Sequence, residues 1–410
     1  MMFRVGVESP GRTVQAAFLA TVGTLVVLKI WLVSDIPLNV VYGPVDDLLY
    51  VERALHLLAG EAFGPYHSGT LAKYPGISLW LAGMRTIGVP FLTSVNAVYI
   101  GAGLYVLSGL LRAGIPRWAA LVTIALWLFN PVTLGYEWVR SIREPLGTGL
   151  LALMAGAMLH VLVVAERSRP AWAHLSIFSV VFAFSLFLRE DDRLLWGLLP
   201  CFLLALYWQI SVHKPRPGRL VAFAVAAAII PAGLGKTYEH LLRGFVERHY
   251  GLPILHDMAE GEFPRLLAAI RAVDTAKDNR LVMAPQEALQ RLREAIPDFR
   301  PVVDRLPPPG PTTYSCRMHG VCSEWSNGWM PFWIKEQAYQ AGLTPSLPAA
   351  QAYFRRVREG IEQACAQGSL RCTPAGEGLV PPMELRWTRA LVGEWFRLAR
   401  TTLAPDPHLE

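Results

Sequence analysis

Between residues 14 and 235 the chain alternates long apolar runs with short charged connections. The runs 14–33, 91–111, 118–136, 145–165, 170–188, 194–213 and 220–235 contain a single Asp, Glu, Lys or Arg, namely Lys29. A hydrocarbon layer about 30 Å thick takes roughly 20 residues of helix at 1.5 Å each, so the pattern predicts seven transmembrane helices, the last run being the shortest. The first run is too long for the core of a signal peptide and no small-x-small site precedes Asp35, so it is expected to be retained as a helix.

The charges between the runs are sided. Arg4 and Arg12, Arg112 and Arg117, Arg167 and Arg169, and Lys214, Arg216 and Arg219 fall in alternate connections. All face one side if residues 74–88 form a helix lying in the interface instead of an eighth span. Because short cytoplasmic loops collect Lys and Arg, this predicts an inner-membrane protein with a cytoplasmic N-terminus. Three segments then lie outside: residues 35–85, the loop through Glu137 and Glu144, and the cluster Arg189, Glu190, Asp191, Asp192, Arg193.

After residue 235 the pattern changes. Residues 1–235 carry 17 basic and 12 acidic side chains, whereas 236–410 carry 21 and 20, the density of a soluble domain. This second part reads as mainly helical, with helices expected over 285–296 and 348–367 and a stiff proline-rich linker at 307–311. It follows an outward-going helix and holds four of the five cysteines, so two disulfides are expected in an oxidising compartment, Cys316–Cys322 and Cys365–Cys372. Five or six intervening residues are not the spacing of a zinc site, and His240, His249, His256 and His319 form no ligand pattern, so no metal site is read here. The aromatics from Trp325 to Trp333 suit a core, a sugar-stacking face or the membrane surface, and 386–403 is amphipathic enough to rest on a membrane.

Composition sharpens one point. With 53% hydrophobic and 17% charged residues and a mean hydropathy of +0.32, the chain is neither disordered nor an ordinary soluble enzyme. Its net charge of +6 resides mainly in the cytoplasmic segments, so it reports membrane orientation and implies no nucleic acid.

Candidate chemistry lies in the outer segments. Asp46 and Asp47 open a short amphipathic helix over 48–60. One Asp would suffice as a cap, and a carboxylate at the edge of a low-dielectric layer suits a general base. Lys73, ahead of Tyr74, Pro75 and Gly76, can snorkel to lipid or hold a substrate phosphate. Arg140 and Arg143, if helical, share a face and could grip a phosphate, the alternative being ion pairs with Glu137 or Glu144. The 189–193 cluster is either a functional network or a solvated loop; its adjacent carboxylates could take Mg²⁺ or Mn²⁺ but are too few to define a site.

The order of these features resembles the GT-C superfamily of membrane glycosyltransferases, nearest the protein O-mannosyltransferase and aminoarabinose transferase branch, over residues 14–235. The resemblance implies a seven-span helical module with amphipathic helices in its first outer loop. It also implies transfer of a sugar from a polyprenyl-phosphate donor to an acceptor at the outer face, by a single inverting displacement. By the same resemblance Asp46 or Asp47 is the base, and Lys73, Arg143 and Arg140 contact the lipid phosphate. Members usually carry further spans, which a partner subunit could supply. The alternative is a non-catalytic protein that binds or scaffolds lipid-linked glycans. A transporter fits less well, because the spans hold so few charges.

Overall fold

The computed structural model describes residues 12–40, 46–164, 168–189, 192–213, 217–275, 282, 284–310, 316, 322–325, 329–373, 392, 393 and 396. They are overwhelmingly helical, with isolated β-bridges and no strand among them. In chain order the helices are α1 (Arg12–Ser34), α2 (Asp47–Ala59), α3 (Gly76–Thr86), α4 (Phe91–Arg112), α5 (Arg117–Leu128), α6 (Arg143–Val164), α7 (Ser168–Ser185), α8 (Leu198–His213), α9 (Pro217–Tyr250), α10 (Glu262–Ala272), α11 (Gln286–Ala295), α12 (Arg300–Val303), α13 (Met330–Gln340) and α14 (Leu347–Ala366). Short 3₁₀ turns occupy Pro131–Leu134, Tyr136–Val139 and Asp192–Gly197.

Four helical stretches among the described residues are long and apolar enough to cross a bilayer: Arg12–Ser34, Phe91–Arg112, Arg117–Leu134 and Arg143–Val163. This is the mark of a membrane protein, and the outward apolar side chains agree, with Trp31, Leu126 and Leu204 each about two-thirds exposed. Of the seven expected spans these four meet the length requirement. The apolar helices Ala171–Ser185 and Leu194–Trp208 are shorter, and 220–235 falls inside the longer α9.

The chain divides into two compact units, one of residues 1–60 and 74–241, the other of residues 61–73 and 242–410. The sequence reading places a boundary at 235 and treats 35–85 as one loop. In the structure, 61–73 belongs with the second unit.

In the first unit α4 and α6 pack closely. Lipid tails are as apolar as leucine, so helices in a bilayer associate by close backbone approach at small residues. Gly149 and Gly156, two turns apart on α6, meet Val98 and Tyr105 of α4, where an added Cβ would sit 2.9 and 2.8 Å from side-chain carbons. One core near these helices gathers Tyr50, Ile77, Val95, Tyr99, Trp138 and Leu146. Lys29 of α1 is fully buried and donates to Thr133 Oγ1 at 2.6 Å.

The second unit has a water-soluble type of core, built by Phe263, Leu266 and Ile270 of α10, Leu292 of α11, Ile334 of α13 and Phe354, Val357 and Ile361 of α14. Each such side chain contributes about 1.5–3 kcal/mol on burial. α14 begins where expected, at a Ser346 cap that accepts from Ala349 N, and Gly368 at φ 75° follows its end. Ala72 lies in this core and Tyr66 packs against it. Leu71 O accepts from Asp257 N at 3.0 Å. The buried ion pair Lys335–Asp257, at 2.5 Å, lies beside them. Both expected disulfides, Cys316–Cys322 and Cys365–Cys372, are present. His319 and nearly all of 386–403 lie outside the described residues.

Candidate active site

The helix expected over 48–60 forms as α2, and Gly60 closes it in the left-handed region at φ 79°. Asp46 occupies the N-cap position, yet its side chain makes no capping hydrogen bond. Capping therefore does not account for the acidic pair. Asp47, in the first turn, is completely buried. A charge so placed is costly unless paired, and its partner comes from the connection between α5 and α6. Arg140 donates from Nη2 to Asp47 Oδ1 at 2.6 Å and from Nε to Oδ2 at 3.2 Å, a two-point fork that fixes both groups.

Arg140 is extended, with φ −85° and ψ 157°, between the Tyr136–Val139 turn and α6. It shares no helix face with Arg143, and the alternative of ion pairs with Glu137 and Glu144 is the one that forms. Its third donor, Nη1, reaches Glu137 at 2.8 Å, and the Tyr136 ring lies 5.7 Å away. Burial by itself opposes the charged guanidinium. The hydrogen bond and charge of Asp47, then Glu137, outweigh it and hold Arg140 above its ordinary value. The pairing is extended by main chain: Asn39 N donates to Val139 O at 2.9 Å, and Asn39 and Arg140 form a parallel bridge. The connection after α1, the start of α2 and the connection before α6 are thus pinned together at Asn39, Asp47 and Arg140.

Arg143 opens α6 and donates to its neighbour Glu144 at 3.2 Å, while Arg189, four residues beyond the end of α7, lies 3.5 Å from the same carboxylate. Arg140 and Arg143 are three residues apart, so their Cα atoms are at most about 10 Å from each other. Beside Glu144 and Arg189 is a cavity of about 270 Å³ lined by Thr148, Leu151, Met154, Ser185 and Leu195. Its mouth is charged and its wall apolar. Ser185 Oγ is buried there without a hydrogen-bond partner among the described residues. Glu190 and Asp191 lie outside the described residues, and Asp192 and Arg193 are described as backbone in a 3₁₀ turn. Among the described residues no group of three or more metal-ligating side chains occurs.

Lys73 belongs to the second unit, where its Nζ stands 5.5 Å from the centre of the Phe332 ring. Nearby, Ser68 hydrogen-bonds Glu336. Burial and the charge of Asp257 push the Tyr66 phenol up. The residues the sequence reading missed are Ser185, silent because a lone serine in an apolar run carries no pattern, and Asn39, which acts through its main chain.

The chain matches no protein-family model, no curated protein and no solved structure.

Proposed function

We propose that this protein is a membrane glycosyltransferase of the GT-C type, moving a sugar from a polyprenyl-phosphate donor to an acceptor hydroxyl at the outer face. The observation that carries the reading is the division of labour between two adjacent carboxylates. Asp47 is buried and forked by Arg140, which fits it to hold and not to react. Asp46, half-buried one residue earlier and not used as a cap, is the base. The acceptor oxygen attacks the anomeric carbon while the carbon–oxygen bond to the lipid phosphate breaks, with inversion. Asp46 takes the hydroxyl proton, and the phosphate leaves with the bonding electrons.

Arg189 in the cavity lining, with Arg143 on the same Glu144 carboxylate, supplies cations for that departing phosphate. The wall of Leu151, Met154 and Leu195 suits the first isoprene units. In this reading seven helices cross the membrane, the N-terminus is cytoplasmic and the disulfide-bonded second part is extracytoplasmic. No metal is required, because the leaving group is a phosphate monoester anion already met by arginine.

The test is transfer by the full-length protein in lipid nanodiscs, supplied with polyprenyl-phosphate sugars and an acceptor panel. Asp46→Asn should abolish transfer without moving the unfolding temperature. Transfer that survives in Asp46→Asn would overturn the assignment, and donor binding without turnover by the wild type would turn the reading to a glycan-binding protein.

A further inference from the structure

A second polar cluster lies in the first unit, toward the ends of α4 and α6 remote from Asp47. On α6, Arg143 and His160 are 17 residues apart, about 25 Å along the helix axis. Tyr105, Ser108 and Arg112 come from α4, His160 from α6 and His174 from α7. Polar side chains inside a bilayer are rare and point to function unless they merely satisfy one another. Here they satisfy one another only in part.

His160 is 1% exposed and its ring stacks on both Tyr105 and His174, with centroids 4.4 Å apart in each case. Arg112 Nη1 lies 3.2 Å from His160 Nδ1. A guanidinium only donates, so Nδ1 accepts and the ring proton sits on Nε2, which contacts Ser108 Oγ at 2.8 Å and Tyr105 O at 3.0 Å. His160 is therefore a neutral imidazole that orients a cation. The Tyr105 hydroxyl lies 2.5 Å from His174 Nδ1, so Nδ1 is engaged and Nε2 is the ring nitrogen of His174 left over. It has no partner among the described residues.

The consequence concerns Arg112. An arginine at a protein surface is commonly steadied by a carboxylate that cancels its charge. This one is exposed and steadied by an uncharged ring, and no carboxylate pairs with it among the described residues. Its full charge and its remaining donors are left for another partner, close to the His174 ring that stacks on His160. Trp118 and Trp172, 71% and 42% exposed, stand at the starts of α5 and α7 at this end, where interfacial tryptophans mark the headgroup level.

We infer that Arg112 and His174 form a phosphate-binding site at this interface, occupied by the phosphodiester of an anionic membrane lipid. The guanidinium grips the phosphate oxygens and His174, in the tautomer in which Tyr105 donates to Nδ1 and Nε2 carries the proton, adds one hydrogen bond, while buried His160 holds Arg112 in register. The site is separate from the proposed transfer chemistry and does not depend on it.

Full-length protein in detergent is titrated with phosphatidylglycerol and with phosphatidylcholine, and bound lipid is counted by native mass spectrometry. Arg112→Gln is expected to weaken phosphatidylglycerol binding about tenfold or more, since a hydrogen bond to a charged group is worth at least ~1.4 kcal/mol. His174→Phe is expected to weaken it several-fold. Arg117→Gln, removing a basic residue at the same interface that sits over Phe18, should leave it unchanged, and all three variants should unfold at the wild-type temperature. Excess inorganic phosphate should not displace the lipid. Wild-type retention by Arg112→Gln, equal losses in Arg112→Gln and Arg117→Gln, or equal binding of phosphatidylcholine would each overturn the site. Displacement by inorganic phosphate would assign it to a soluble anion and overturn the lipid.

Discussion

The carboxylate of Asp47 and the guanidinium of Arg140, 93 residues apart in sequence, meet edge to edge through contacts of 2.6 and 3.2 Å with Asp47 wholly buried. Removing one member of such a pair leaves an uncompensated charge. Arg140→Gln should therefore lower stability by about 3–5 kcal/mol. Arg140→Lys should recover little, because an ammonium cannot span both oxygens. Thermal unfolding in detergent reads this, and a wild-type transition in Arg140→Gln would contradict the fork. Arg140 is held above its ordinary value, so its contribution is complete below the ordinary arginine range and is lost only in stronger alkali. Stability lost between neutrality and mild alkali must then come from other groups.

Gly76 opens α3 with its amide donating to Phe187 O at 2.9 Å. A Cβ there would stand 2.5 Å from that oxygen and 2.9 Å from Leu188 Cα. Both are main-chain atoms that cannot swing aside. Gly76→Ala should cost about 1–3 kcal/mol. Gly83, in the same helix, has nothing within 4 Å of a built Cβ, and Gly83→Ala should gain up to about 1 kcal/mol from helix propensity. Opposite signs in paired unfolding curves are the expected result.

Cys365–Cys372 ties the end of α14 to a segment bridged to α10 through Val273 and Cys372. Closing a loop of this size constrains the unfolded chain by about 2–3 kcal/mol. The double change Cys365→Ser with Cys372→Ser should reduce stability by that order. Alkylation of the unreduced protein should label Cys201 alone, the one free cysteine. Labelling at Cys316 or Cys322 would show that pair to be open.

Lys335 and Asp257 are 2% and 1% exposed, so they behave like the first pair in a different core. Asp257→Asn should destabilise the second unit by about 3–5 kcal/mol. Joint replacement by apolar residues of similar volume, Asp257→Leu with Lys335→Met, should recover much of the loss because no charge stays buried. Limited proteolysis of the full chain reads both, and equal sensitivity of single and double variants would refute the coupling.

Local features proved legible in the sequence. α2 runs from an acidic opening to Gly60 and α14 from a serine–proline start to Gly368, since caps and breakers act within a few residues of themselves. The cysteine pairs were legible because short spacings favour local closure. The choice left open at Arg140 and Arg143, a shared helix face or ion pairs with Glu137 and Glu144, was not legible. The 3₁₀ turn Tyr136–Val139 and an extended Arg140 stand there and the ion pairs form, with Asn39 and Asp47 from another part of the chain holding the segment.

The sequence by itself determined that apolar helices dominate the first 235 residues, that a charged, cysteine-bearing part follows, and where α2 and α14 begin and end. These follow from solvent transfer and from capping, which each residue carries with it. Only the tertiary structure decided that Asp47 is the buried partner of Arg140 while Asp46 is not, and that residues 61–73 complete the core of the second unit. It alone showed that buried His160 meets Arg112, which pairs with no carboxylate among the described residues. Those are relations between groups tens of residues apart, and hydropathy and spacing carry no record of which distant side chain fills a given space or neutralises a given charge.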